Sequence, residues 1–216
     1  MNKKRLLVGE SFRNRTGMAD GSGPSSRAMQ LAIGDIHGCL ISLETMLDLI
    51  QPTAEDLVVT LGDYVDRGPD SKGVIDRLLE LKKTHNFIHL MGNHEIQMIR
   101  ALETRQDRER FLSGLCGGQD TLDSYGGSFE DVLEEHWEFM RSAALYHELE
   151  DHILVHAGVE AGVALDAQDR ETYYYQRFHS QRAHVSGKTV DCGHTIQGDL
   201  PTDLGYAICL DTCAYG

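Results

Sequence analysis

No two of the five cysteines, Cys39, Cys116, Cys192, Cys209 and Cys213, stand in the C-x-x-C spacing of a zinc or thiol redox site. Their odd number and irregular spacing also exclude a regular disulfide framework, and fit the reduced, mostly buried thiols of a cytoplasmic protein. Long hydrophobic runs are missing: nothing approaches the ~20 apolar residues that span a bilayer. Leu6-Leu7-Val8 is likewise too short for the apolar core of a signal peptide. Positive charge is scarce, with 20 Lys and Arg against 34 Asp and Glu and a formal charge of −14. That balance excludes general affinity for nucleic acid or an anionic membrane, whose phosphates bind basic patches. Internal repeats are absent.

What remains is one domain of ordinary soluble composition, large enough at 216 residues to bury a substantial core. Its first 28 residues carry Lys3, Lys4, Arg5, Arg13, Arg15 and Arg27 against Glu10 and Asp20, a local +4 that leaves −18 on the remainder. That stretch ends in Gly21-Ser22-Gly23-Pro24-Ser25-Ser26 and has no apolar period, which predicts a disordered basic extension over 1–28 and a folded domain over 29–216.

Within the domain, strand-like and helical patterns alternate. Met29–Ile33, Leu57–Leu61 and Phe87–Met91 are short apolar runs. Leu40–Ile50, Asp70–Lys83 (with Asp70 as cap) and Ile96–Leu102 carry apolar residues at helical spacing. Residues 103–150 are polar, mostly helical in pattern and broken by Gly114, Gly117-Gly118 and Gly126-Gly127, which predicts a helical insertion. Asp151–Val155, Thr189–Cys192 and Tyr206–Leu210 return to strand. Alternation of this kind predicts an α/β domain built on a parallel sheet, with ligands bound outside the carboxyl ends of its strands.

Glycine is abundant, at 22 residues, and it brackets blocks of chemistry at those strand ends. The blocks are Gly34-Asp35-Ile36-His37-Gly38, Gly62-Asp63-Tyr64-Val65-Asp66-Arg67-Gly68, Gly92-Asn93-His94-Glu95, His156-Ala157-Gly158 and Gly193-His194-Thr195. Carboxylate, amide oxygen and imidazole nitrogen are the donors that select divalent first-row ions. Asp35 and His37 can reach one ion, Asp63 has two oxygens with which to bridge two, and Asn93, His156 and His194 supply the second. Two ions about 3.5–4 Å apart can clamp a phosphoryl group and acidify water for in-line attack. His94 is placed to protonate the leaving group, Asp66 to orient that imidazole, and Arg67 to take two phosphate oxygens in its planar fork. Each block alone is commonplace: a lone Asp-x-His is more often a solvated turn, and His85, His89, His136, His147, His152, His179 and His184 carry no assigned role. The combination, ordered along strand ends, is what points to a site.

GDIHG, GDYVDRG, GNHE, HAG and GHT in this order resemble the phosphoprotein phosphatases, metal-dependent serine/threonine phosphatases of the calcineurin-like metallophosphoesterase superfamily. The resemblance runs from about Met29 to Asp211 and is nearest the bacterial and phage-type branch. It implies a central β-sandwich flanked by helices in place of one parallel sheet, and two divalent ions, Mn with Fe or Zn as alternatives. Asp35, His37 and Asp63 are then ligands of the first ion, and Asp63, Asn93, His156 and His194 of the second. His94 with Asp66 becomes the general-acid pair, and Arg67 a phosphate-binding residue. The implied substrate is a phosphorylated protein or other phosphoester, with neither nucleic acid nor membrane as partner. Dinucleoside polyphosphate hydrolysis, as of diadenosine tetraphosphate, is the alternative. A metal-binding module with weak turnover ranks third. The complete Asp66-Arg67 pair and Glu95 favour the protein phosphatase.

Two departures from the pattern stand out. Where the resemblance implies a second phosphate-binding arginine, the chain reads Tyr173-Tyr174-Tyr175-Gln176-Arg177-Phe178, so that Tyr175 occupies the expected position and Arg177, two residues on, is the candidate. The resemblance also implies a further strand beyond Tyr215-Gly216, without which a sheet edge stays open.

Overall fold

A computed structural model describes residues 28–114 and 116–216, so the expected basic extension lies outside the described residues except for Ala28. Three strands, β1 (Gln30–Ile33), β2 (Leu57–Thr60) and β3 (Asn86–His89), form a parallel sheet in that order. They are joined by α1 (Leu40–Ile50) and α2 (Ser71–Thr84). Helix α2 starts where the sequence places its cap: the Asp70 carboxylate accepts from the Gly73 amide at 2.8 Å. It ends with Lys82 and Lys83 in the last turn, where cations favour the helix dipole. Its buried Val74, Ile75, Leu78 and Leu81 recur at helical spacing and pack with Leu43, Met46 and Leu47 of α1 on one face of the sheet.

Helices α3 (Asn93–Arg100), α4 (Arg105–Phe111), α5 (Gly118–Tyr125) and α6 (Glu134–Arg141) follow. The polar stretch read from the sequence as helical closes instead on a strand, β4 (Tyr146–Glu148), which pairs antiparallel with β5 (His152–Val155). A short helix, α7 (Arg170–Tyr175), leads to β6 (Thr189–Cys192), β7 (Thr202–Asp203) and β8 (Ala207–Cys209). The second sheet runs β4-β5-β6-β8-β7, with β5, β6 and β8 mutually parallel.

The two sheets pack face to face, and the period-2 alternation of strand side chains shows how. Ala32, Val59, Leu154 and Ile208 share one cluster between the sheets. Their neighbours Ile33 and Val58 point into the helical layer, whereas Ile153, Val155, Ala207 and Cys209 point to the opposite outer layer with Tyr173, Tyr174 and Phe178. The single parallel sheet predicted from alternation is therefore corrected to the flanked sandwich that the resemblance implies. Strands such as Ile153-Leu154-Val155 are buried on both faces and read as continuous apolar runs, so their hydrophobicity cannot reveal which sheet they join. Among the described residues no helix is long and apolar enough to cross a membrane.

Candidate metal centre and active site

The site forms where the carboxyl ends of β1, β2, β5, β6 and β8 meet the first turn of α3. Non-glycine residues rarely adopt positive φ, yet His37, Asp63, Asp66, Arg67 and His194 all do, at 47°, 52°, 72°, 69° and 62°. Such conformations cost about 1–3 kcal/mol each and cluster where function demands them. The surrounding glycines make the crossing of these loops feasible. A side chain at Gly92 would collide with the backbone nitrogen and carboxylate of Asp63, and one at Gly193 with the carboxylate of Asp35.

Glu95 holds the second loop in place. Its fully buried carboxylate accepts from the amides of Asp63 at 2.9 Å, Tyr64 at 2.7 Å, Val65 at 3.2 Å and Gly92 at 3.1 Å. Burial raises its pKa to about 7 while these amides pull it down. Glu95→Gln turns an NH₂ group toward amides that need an acceptor, at roughly 1–3 kcal/mol for each group left unpaired. A loss of roughly 2–4 kcal/mol is expected, read as a fall in Tm of roughly 4–16 °C for the metal-free protein. An unchanged Tm would show that the loop does not depend on Glu95.

Around Asp63 the predicted donors converge. Its Oδ2 lies 3.5 Å from His37 Nε2 and 3.8 Å from His94 Nε2, and its Oδ1 lies 3.4 Å from His156 Nε2. Asn93 Oδ1 is 2.9 Å from His156 Nε2 and 2.7 Å from His194 Nδ1. Asp35 accepts the His194 amide through both oxygens at 3.1 Å and lies 4.0 Å from His37 Nε2. His37 and His156 donate from Nδ1 to the Val65 and Leu61 carbonyls, each at 2.9 Å, which leaves both Nε2 lone pairs facing Asp63.

Two groups of donors capable of holding a metal ion result, His37–Asp63–His94 and Asp63–His156–His194, with Asp63 common to both. The first group contains His94 where the sequence places Asp35. His194 Nε2 is the buried side-chain nitrogen that, among the described residues, has no hydrogen-bond partner. Burial lowers the pKa of His37, His156 and His194, the last to about 4, and so favours the neutral rings that ligate metals. The same burial raises Asp35 and Asp63 well above the usual carboxylate range, Asp35 being pushed further by Asp211 and Asp63 by Glu95. Buried carboxylates this closely grouped, with the half-buried Arg67 among them, call for cationic charge. The donor set thus fits divalent metal ions.

His94 Nδ1 bonds Asp66 Oδ2 at 2.7 Å, and Asp66 Oδ1 in turn accepts the Thr121 hydroxyl at 2.6 Å. Burial disfavours the charged form of each partner, lowering His94 to about 3 and raising Asp66 to about 8. Their hydrogen bond fixes the ring with Nε2 toward Asp63. Arg67 donates to His37 Nε2 at 2.8 Å. Arg177 stands apart from this cluster: its side chain is exposed, and it reaches the site through its charge, which after burial is the largest influence lowering His194.

Sequence reasoning missed several residues of this site. Tyr215 accepts from Arg67 at 3.0 Å, lies under its guanidinium at 4.9 Å and meets the His37 ring edge-on at 5.1 Å. Asp211 is buried beside Asp35. The signal for Asp211 was available: it follows β8 as His156 follows β5 and His194 follows β6, at the same end of three parallel strands. Thr121 carried no signal, since it reaches Asp66 from α5.

The calcineurin-like phosphoesterase family profile matches residues 30–195, most of the chain, and the chain belongs to that family of metallophosphoesterases. Among individual relatives, a symmetrical bis(5'-nucleosyl)-tetraphosphatase of Nitrosomonas europaea is 28% identical over 78% of this chain and 61% of its own length. That of Wigglesworthia glossinidia brevipalpis is 43% identical over 31% of this chain and 24% of its own. The chain thus spans between a quarter and three fifths of these relatives. Serine/threonine-protein phosphatase 2 of Salmonella typhimurium is 35% identical over 38% of this chain. In fold, a candidate diadenosine tetraphosphatase of known structure superposes with a TM-score of 0.66 at 19% identity, covering 87% of this chain and 85% of its own. The sequence relationships overturn the protein serine/threonine phosphatase reading, because similarity to a tetraphosphatase extends over 78% of the chain and that to the Salmonella protein phosphatase over 38%. The physical reason for the error lies in the residues used to discriminate. Glu95 binds backbone amides, Asp66 binds His94 and Arg67 binds His37, so all three build the site and do not distinguish one phosphoester from another.

Proposed function

We propose that this chain is a metal-dependent hydrolase of dinucleoside polyphosphates, cleaving a compound such as diadenosine tetraphosphate symmetrically with water to give two ADP. The observation that carries this reading is the joint occurrence of the Asp63-centred donor set and similarity over most of the chain to relatives named for that reaction. Asp35, His37 and Asp63 would hold one divalent ion, and Asp63, Asn93, His156 and His194 the other, with Mn²⁺ the metal that the family resemblance implies. When bound, such a pair supplies positive charge to the phosphate and acidifies water. Arg67 faces the cluster from His37 and supplies a fork of N–H donors to the scissile phosphate. His94, aligned by Asp66 and Thr121, carries the proton that the departing phosphate oxygen takes up.

The test offers the metal-loaded protein diadenosine tetraphosphate and a phosphothreonine peptide side by side, with products separated by ion-exchange chromatography. ADP as the nucleotide product, formed at higher kcat/KM than phosphate from the peptide, is expected. ATP with AMP would refute symmetrical cleavage, and preference for the peptide would refute the nucleotide reading. Arg177→Ala is expected to raise KM for the nucleotide about 3- to 10-fold with little change in kcat, as loss of one exposed charge contact would. Unchanged steady-state kinetics would return Arg177 to an ordinary surface residue.

A further inference from the structure

A notch lies between α3, α4 and the end of α7. Gln97, Arg100, Asp107, Arg110, Phe111 and Tyr175 line it, around a space of about 30 Å³. That is room for a group the size of a water molecule or a phosphate oxygen and far too little for a nucleobase. Tyr175 joins notch to centre, its ring meeting the His194 ring edge-on with centroids 6.3 Å apart.

The lining is rich in donors. Arg110 is exposed, and among the described residues its guanidinium makes no ion pair or hydrogen bond. Arg100 reaches across to Glu171 at 2.8 Å. Gln97 uses its carbonyl to accept from Cys116 at 3.0 Å, which leaves its NH₂ group free to donate. Asp107, the acidic member, is engaged in starting α4, where it accepts the Thr104 hydroxyl at 2.7 Å. Burial raises the pKa of the Tyr175 hydroxyl, and the charges acting on it after that are Arg100, Glu171, Arg110 and Asp63. Where the sequence pattern sets an arginine at the position of Tyr175, this chain brings positive charge to the same neighbourhood from α3 and α4.

We propose that this notch is an oligophosphate subsite, seating one oxygen of a phosphate beyond the scissile phosphorus while Arg110, Arg100 and the Tyr175 hydroxyl bind that phosphate from the notch's rim. It deepens the dinucleoside polyphosphate reading and rests on it for the identity of the substrate. The ligand class, two or more linked phosphates, follows from the donors. A chain with a formal charge of −14 needs such local donors if a multiply charged anion is to settle beside buried carboxylates.

The experiment uses the metal-loaded full chain and measures inhibition of aryl phosphate hydrolysis by orthophosphate and by tripolyphosphate, in wild type, Arg110→Gln and Tyr175→Phe. Free metal is held constant, and because tripolyphosphate sequesters metal from all three proteins alike, differences between them report the subsite. The ratio of the tripolyphosphate to the orthophosphate inhibition constant is expected to rise about tenfold in Arg110→Gln and about threefold in Tyr175→Phe. Should aryl phosphate turn over too slowly, calorimetric binding of the two anions yields the same ratio. A ratio equal to wild type in Arg110→Gln overturns the proposal. Failure of the protein to hydrolyse diadenosine tetraphosphate would remove the proposed substrate while this ratio stands or falls by itself.

Discussion

Asp63→Asn is expected to release both metal ions together and to lower kcat on the order of 10³-fold or more, because one carboxylate serves both halves of the centre. Asp63 is shared by both donor groups, with Oδ2 3.5 Å from His37 Nε2 and Oδ1 3.4 Å from His156 Nε2. An amide preserves the shape but offers one oxygen, no charge, and an NH₂ group where an acceptor is needed. The change should not unfold the metal-free protein. Burial and Glu95 hold the Asp63 carboxyl well above its usual pKa, so its charge opposes folding in the absence of a cation. Metal-free Asp63→Asn should therefore unfold at the same temperature as wild type or higher. The stabilisation that Mn²⁺ confers by binding the native state should be seen in wild type and be missing from the variant. Metal content by mass spectrometry, with Tm measured in chelator and in Mn²⁺, checks this. Retention of one or both ions by the variant would rule out a bridging Asp63.

His94→Asn is expected to keep its metal and lose about 10²–10⁴ in kcat on alkyl phosphates, the range for a removed general acid. Aryl phosphates and phosphoanhydrides, whose leaving groups need less protonation, should lose much less. The geometry supports the distinction: Asp66 holds Nδ1 at 2.7 Å and Thr121 holds Asp66, an arrangement that orients a proton donor. The same ring also belongs to one of the two donor groups, which makes metal content the decisive control. Equal loss on good and poor leaving groups would contradict the general-acid role, and loss of metal would make His94 a ligand.

Much of this site could be read from sequence because its chemistry is local to short blocks. Asp35 and His37, Asp63 to Arg67, and Asn93 to Glu95 each lie within a few residues, at strand ends where glycine permits the positive φ of the loops. Their convergence from different strands follows from topology. The second sheet was hidden because Val58-Val59 and Ile153-Leu154-Val155 are apolar on both faces, and period-2 alternation is erased where neither face meets water. Residues that reach the site from a distance escaped for a related reason. Thr121 approaches from α5 and Tyr215 from beyond β8, and no spacing rule links them to Asp66 or Arg67. Substrate class was misread because, of the residues weighed for it, Asp66 and Glu95 act on the protein itself, and Arg67 offers the same fork to a phosphate of either substrate class.

Metal add-back tests the metal dependence of this site most directly. The protein is stripped with chelator, Mn²⁺ is returned in measured equivalents, and hydrolysis of an aryl phosphate is followed against bound metal. Activity that disappears on stripping and returns as occupancy approaches about two ions per chain is the predicted result. Turnover that persists in the stripped protein, or two bound ions with no turnover on any phosphoester, would contradict it.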